Sequence, residues 1–126
     1  FWKKIDAPQI LVVEDNIDSQ LIIKNFLDNC CSLDIVSRGD DAISKFQNYF
    51  YDVILMDINL GNNKDGFDLL KMIRNGTKNS TTPVIAITAY GYNNDELNFE
   101  DAGFCAYLSK PFDRQKLIDI INTTLS

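Results

Sequence analysis

The chain has 126 residues, 45% of them hydrophobic, which suits one domain with a core of its own. Twelve basic against eighteen acidic residues give a net charge of −6, which argues against a broad electrostatic nucleic-acid surface within this chain. Histidine is absent, which excludes His-based acid–base chemistry, His metal ligands and a phosphohistidine made on this chain.

In chain order, strand and helix alternate with no linker between them. Ile10–Val13 is a short strand of the buried type, and Ile17, Leu21, Ile22, Phe26 and Leu27 then recur at helical spacing. Leu33–Ser37 is a weaker strand. Asp40–Tyr49 reads as a helix with Ala42, Ile43 and Phe46 turned inward. Val53–Asp57 is a continuous apolar run ending on an aspartate, the pattern of a central strand covered on both faces. Gly66 opens a helix bearing Phe67, Leu70 and Ile73, and Asn75-Gly76 suits its stop. Pro83–Thr88 is a fourth strand, a helix around Asp95–Ala102 ends at Gly103, and Ala106–Ser109 is a fifth strand. Asp113 caps a last helix with Leu117, Ile121 and Leu125. Five such units predict an α/β three-layer sandwich, a flavodoxin-like parallel sheet of order 2-1-3-4-5 with right-handed crossovers and helices on both faces.

The ends and the cysteines add expectations of their own. Residues 1–126 read as a single domain, with a core from about residue 9 to 126 and an N-terminal extension over residues 1–8. Without an initiator methionine, the chain is expected to be a processed product or a domain cut from something longer. No apolar run approaches the ~18 residues of a membrane span, and Phe1-Trp2-Lys3-Lys4-Ile5 lacks the apolar region of a signal peptide. No membrane partner is expected. Cys30, Cys31 and Cys105 match no metal spacing, and the vicinal pair is poorly placed for an ordinary disulfide. Reduced thiols in a cytoplasmic protein are the expectation.

Chemistry-bearing residues fall at the carboxyl ends of the strands, where open α/β sheets bind ligands. Glu14-Asp15 follows the first strand, Asp57 ends the third, Thr88 ends the fourth and Lys110 follows the fifth. Each has a bland reading when taken alone. Glu14-Asp15 would cap and complement the dipole of the following helix, and Lys110 would be a solvated lysine. Thr88 would be a good β former, and Tyr107 a core aromatic. With Asp57 placed opposite Glu14-Asp15, a metal-binding reading outweighs capping.

Five stretches, in this order and spacing, resemble the receiver domain of two-component response regulators from about Ile10 to the last helix. They are Leu11-Val12-Val13-Glu14-Asp15-Asn16, Leu55-Met56-Asp57, Asp65-Gly66-Phe67, the run from Pro83 through Thr88 to Ala89, and Ala102-Gly103 through Tyr107-Leu108-Ser109-Lys110-Pro111-Phe112. The resemblance implies a phosphorelay in which Asp57 is the nucleophile. It would take a phosphoryl group from the phosphohistidine of a histidine kinase or histidine phosphotransfer protein, forming an acyl phosphate. It implies Mg²⁺ held by Asp15, Asp57, the backbone carbonyl of Asn59 and, through water, Glu14. Lys110 would pair with the phosphoryl oxygens, turned inward by a cis Lys110–Pro111 bond. Thr88 would donate its hydroxyl to the phosphoryl group, with small Ala89 beside it, and Tyr107 would follow Thr88 inward as its rotamer partner. The resulting charge would bias a surface formed by the fourth helix, fifth strand and last helix toward an output domain or a second copy of the chain. No direct nucleic-acid binding is expected of it. It would be an enzyme only in the sense of modifying itself.

Two features depart from the family pattern. The loop Asn59-Leu60-Gly61-Asn62-Asn63-Lys64-Asp65 is about one residue longer than in many receivers and has Gly61 where proline is frequent, which loosens it and bears on partner docking there. Asn59 and Tyr90, two residues beyond Asp57 and Thr88, occupy positions that by resemblance tune hydrolysis of the phosphate. Three rival functions compete with this reading. A dehalogenase-type phosphatase needs a second aspartate where Asn59 stands and carries its nucleophile on the first strand. A flavodoxin-like FMN binder needs a phosphate loop where Glu14-Asp15 would repel phosphate. A non-phosphorylated docking module, or pseudo-receiver, usually lacks one of the residues this chain keeps.

Overall fold

The structure, a computed structural model, describes residues 7–28, 30–58, 66–89 and 103–125. The strands are β1 (Gln9–Val13), β2 (Ser32–Val36), β3 (Val53–Asp57), β4 (Val84–Ala89) and β5 (Ala106–Lys110). The helices are α1 (Ile17–Phe26), α2 (Gly39–Asn48), α3 (Gly66–Arg74) and a C-terminal helix, Arg114–Leu125. The strands form one parallel sheet of order β2-β1-β3-β4-β5, as the alternation predicts. The expected helix around Asp95–Ala102 lies outside the described residues.

Side chains alternate across a strand, and the two halves of each strand's sequence accordingly fill two cores. Leu11, Val13, Ile54, Met56, Val84 and Ala86 face Ala42 and Phe46 of α2 and Leu69, Leu70 and Ile73 of α3. Ile10, Val12, Val53, Leu55, Ile85, Ile87 and Leu108 face Ile23 of α1 and Leu117, Ile118 and Ile121 of the C-terminal helix. Every residue of β3 is buried, as its unbroken apolar run predicts for a central strand.

The helix ends follow their local chemistry. Asn16 caps α1 by accepting from the Ser19 N–H, and Asp113 accepts from the Lys116 N–H at 2.8 Å. After α3, Gly76 turns the chain at φ +82°, where a residue with a Cβ would be strained. Of the apolar residues whose spacing marks α1, Phe26 and Leu27 pack against the core. The apolar spacing located this helix, but the residues it turns inward are Ile23 and Leu27, while Ile17, Leu21 and Ile22 are exposed. At about 3.6 residues per turn, the Ile17–Leu21 stripe lies roughly a third of a turn round the helix from the Ile23–Leu27 stripe. Spacing alone does not say which of two such stripes meets the sheet.

The sheet's parallel register delivers the strand ends carrying Glu14, Asp57, Thr88 and Lys110 to one rim. Ile10 pairs with Val53, Asp57 with Ile87, Thr88 with Ser109 and Ala89 with Lys110.

Candidate functional site

Glu14 is the first residue beyond β1. Its N–H donates to the Val36 carbonyl of β2 at 3.0 Å, so the chain continues the sheet for one more step, and its side chain is fully buried. Asp15 follows, exposed, and Asn16 then caps α1. Asp57 ends β3 with its side chain nearly buried. One carboxylate oxygen each from Glu14, Asp15 and Asp57 lie within 4.8 Å of one another. Lys110, at the end of β5, reaches across the end of β4 to this cluster. Its Nζ lies 2.5 Å from Glu14 Oε1 and 3.5 Å from Asp57 Oδ2. The Lys110–Pro111 peptide bond is cis. Thr88 is buried on β4, one residue beyond the Ile87 that pairs with Asp57, and Tyr107 on β5 is partly exposed to solvent. Asn59 and Tyr90 lie outside the described residues.

The electrostatics of the cluster follow from its burial. Glu14 has its pKa raised from the ordinary value, first by burial and then by its contact with the Asp57 carboxylate, and Lys110 offsets this only in part. Burial works against the charge of Lys110, but Glu14 and Asp57 outweigh it and hold the ammonium's pKa above its ordinary value. Carboxylates this close repel by roughly 1–4 kcal/mol per pair across plausible effective dielectrics, and a single ammonium does not neutralise three of them. The donor set is all hard oxygen, which is what Mg²⁺ selects. The residues present therefore fit a small divalent cation.

Gly66 supports the site in a way the sequence reading missed. It opens α3 directly behind Asp57, where its N–H donates to the Ile58 carbonyl at 3.2 Å. A Cβ there would stand 2.7 Å from Ile58 Cα and 3.1 Å from the Asp57 carbonyl oxygen. A glycine at a helix start where alanine would favour the helix is the signal in the sequence for so close an approach. The three cysteines are free thiols, and burial pushes the Cys31 thiol up to about 12.

Residues 10–122 match the response regulator receiver domain family, and the chain belongs to it. It is 33% identical over 116 residues to a probable transcriptional regulator, ycf29, of Porphyra purpurea, covering 92% of this chain and 55% of that protein. It is 35% identical over 120 residues to hybrid signal transduction histidine kinase L of Dictyostelium discoideum, covering 90% of this chain but 7% of that one. Among solved structures it is similar to the receiver domain of sensor histidine kinase PA1611 from Pseudomonas aeruginosa PAO1, at TM-score 0.85 and 33% identity. That likeness covers 94% of this chain and 98% of the other, whose active-site cleft coordinates a magnesium ion. The chain spans about half the length of the first curated relatives. Several relatives are named as transcriptional regulators or transcription factors, so the expectation of no direct nucleic-acid binding is not supported. Among the described residues no helix is long and apolar enough to cross a membrane.

Proposed function

We propose that this receiver domain takes a phosphoryl group onto Asp57 from the phosphohistidine of a histidine kinase or histidine phosphotransfer protein in the cytoplasm. The observation that carries the reading is the nearly buried Asp57 carboxylate, set among Glu14 and Asp15 within 4.8 Å and 3.5 Å from the Lys110 ammonium. An Asp57 carboxylate oxygen attacks phosphorus in line. The P–N bond to the donor imidazole breaks with its electron pair leaving on nitrogen, and an acyl phosphate forms. Lys110 meets the charge of the phosphoryl oxygens, and the Thr88 hydroxyl donates to one of them. Glu14, Asp15 and Asp57, with the Asn59 carbonyl, would hold Mg²⁺, which supplies positive charge between two anions that must approach each other. The magnesium in the cleft of the Pseudomonas receiver supports this assignment.

Output then runs through Thr88 and Tyr107 to the face of β5 and the C-terminal helix. Tyr107, Lys116, Asp119 and Ile120 line an open hollow there, which suits an output domain or a second copy of the chain. Asn59 and Tyr90 would set the rate at which water removes the phosphate.

The test is intact-mass spectrometry after incubation with Mg²⁺ and a small acyl-phosphate or phosphoramidate donor. One acid-stable, base-labile phosphate is expected on the wild type and none on Asp57→Asn. An unchanged mass with several donors, or labelling that survives the substitution, would leave a docking module that is not phosphorylated.

A further inference from the structure

The turn between β1 and α1 carries two of the three clustered carboxylates, and mutual repulsion acts to open it. Several hydrogen bonds hold it. The Glu14 N–H donates to the Val36 carbonyl, the Asn16 N–H to Glu14 Oε2 at 3.3 Å, and the Ser19 N–H to Asn16 Oδ1 at 2.9 Å. These are the ordinary ties of a strand end and a helix cap. A further tie is of a different kind. From the first turn of α1, the Gln20 side-chain Nε2 reaches back six residues and donates to the Glu14 main-chain carbonyl at 2.5 Å.

That carbonyl belongs to the peptide joining Glu14 to Asp15. Fixing it fixes the plane from which the Asp15 backbone departs, and so the place where the exposed Asp15 carboxylate can stand. The donor is also neutral. An arginine or lysine could make the same hydrogen bond, but its charge would repel a cation bound alongside. The bland alternative is a solvated helix glutamine, a good helix former with no further duty, and the direction of its amide, toward the carbonyl of the acidic turn, speaks against that. We infer that Gln20 is a positioning residue for the cation site, presetting the Glu14–Asp15 peptide so that Asp15 meets Glu14 and Asp57 without rearrangement. The inference rests on the metal-binding reading above.

The experiment compares wild type with Gln20→Met, which keeps length and helix propensity but cannot donate, and with Gln20→Ala. Mg²⁺ affinity is measured by calorimetry, and labelling by a small acyl phosphate is followed as a function of Mg²⁺. Both variants are expected to bind Mg²⁺ at least about fivefold more weakly, the factor one net hydrogen bond is worth, rising toward the ~10–100-fold typical of partners that orient metal ligands. The half-saturating Mg²⁺ concentration for labelling should rise by the same factor, with the rate at saturating Mg²⁺ within about twofold of wild type. In the metal-free proteins, amide exchange at Asp15 and Asn16 should quicken in both variants, which a role confined to helix stability would not produce. If wild type binds Mg²⁺ and Gln20→Met binds it equally well, Gln20 is a surface residue and the inference fails alone. If wild type itself binds no Mg²⁺, the metal reading fails and takes the inference with it.

Discussion

Glu14 is the residue on which the site's electrostatics turn. It is fully buried, it touches both Asp57 and Lys110, and its proton is held more tightly in the folded chain than its ordinary pKa of 4.5 would give. The folded state therefore binds more protons than the unfolded one above that value, and stability falls as pH rises from about 4.5 through the folded pKa, then levels off. Lys110 shifts upward as well, but its contribution is present at neutral pH and is lost only as pH climbs through its own raised pKa, outside this window. Glu14→Gln copies the protonated form and does not titrate. Without metal, its melting temperature relative to wild type should therefore rise between about pH 4 and about pH 7. Melting curves of the two proteins in chelator at both pH values check this. A difference that stays flat or falls would mean that the ionised carboxylate is at home beside Lys110.

At the scale of elements, α1 shows what apolar spacing can and cannot say. Ile17 and Leu21 repeat four residues apart, as do Ile23 and Leu27, so the periodicity that announces a helix is satisfied on two faces at once. Only the Ile23–Leu27 face meets the sheet. Replacing Ile23 by alanine should cost about 2–5 kcal/mol, the usual range for emptying a buried aliphatic site, whereas Leu21→Ala should stay within about 0.5 kcal/mol. Chemical denaturation of the two variants decides it, and equal costs would mean that the outer stripe is covered in the native molecule. The strands were more legible than this helix, because an unbroken run such as Val53–Met56 is buried on both faces and leaves no choice of side. The clustering of Glu14, Asp15, Asp57 and Lys110 was legible because these residues stand at or just beyond the carboxyl ends of their strands. Long-range polar ties were not. Asn79 reads as a loop residue, yet its side chain accepts from the Tyr51 N–H and the Thr82 hydroxyl and donates to the Phe46 and Tyr49 carbonyls. Those partners lie as far as 33 residues away, and nothing in the local sequence points to them.

Across the whole molecule, the two cores and the reactive rim pull in opposite directions. Each fully buried aliphatic side chain contributes roughly 1.5–3 kcal/mol, and the two clusters on either side of the sheet make apolar burial the main source of stability. At the rim, the same parallel register that aligns the strands brings Glu14, Asp15 and Asp57 together, with Lys110 in ion-pair reach of Glu14 and Asp57. A molecule built only for stability would avoid this, so the site trades stability for function. Two consequences follow from the proposed cation site. Mg²⁺ at about one hundred times its Kd should stabilise the domain by ~2.7 kcal/mol, since it binds the native state alone, and the melting temperature should rise by several degrees. Asp57→Asn removes one of three like charges while leaving the Lys110–Glu14 pair in place. Its metal-free melting temperature should therefore exceed that of wild type, and most of the Mg²⁺ response should vanish with the lost ligand. Thermal melts of both proteins in EDTA and in Mg²⁺ measure the two effects together. If wild type shows no Mg²⁺ shift and Asp57→Asn melts lower than wild type in EDTA, the three carboxylates are serving as caps and surface charges, and phosphoryl transfer at this rim would have to proceed without its cation.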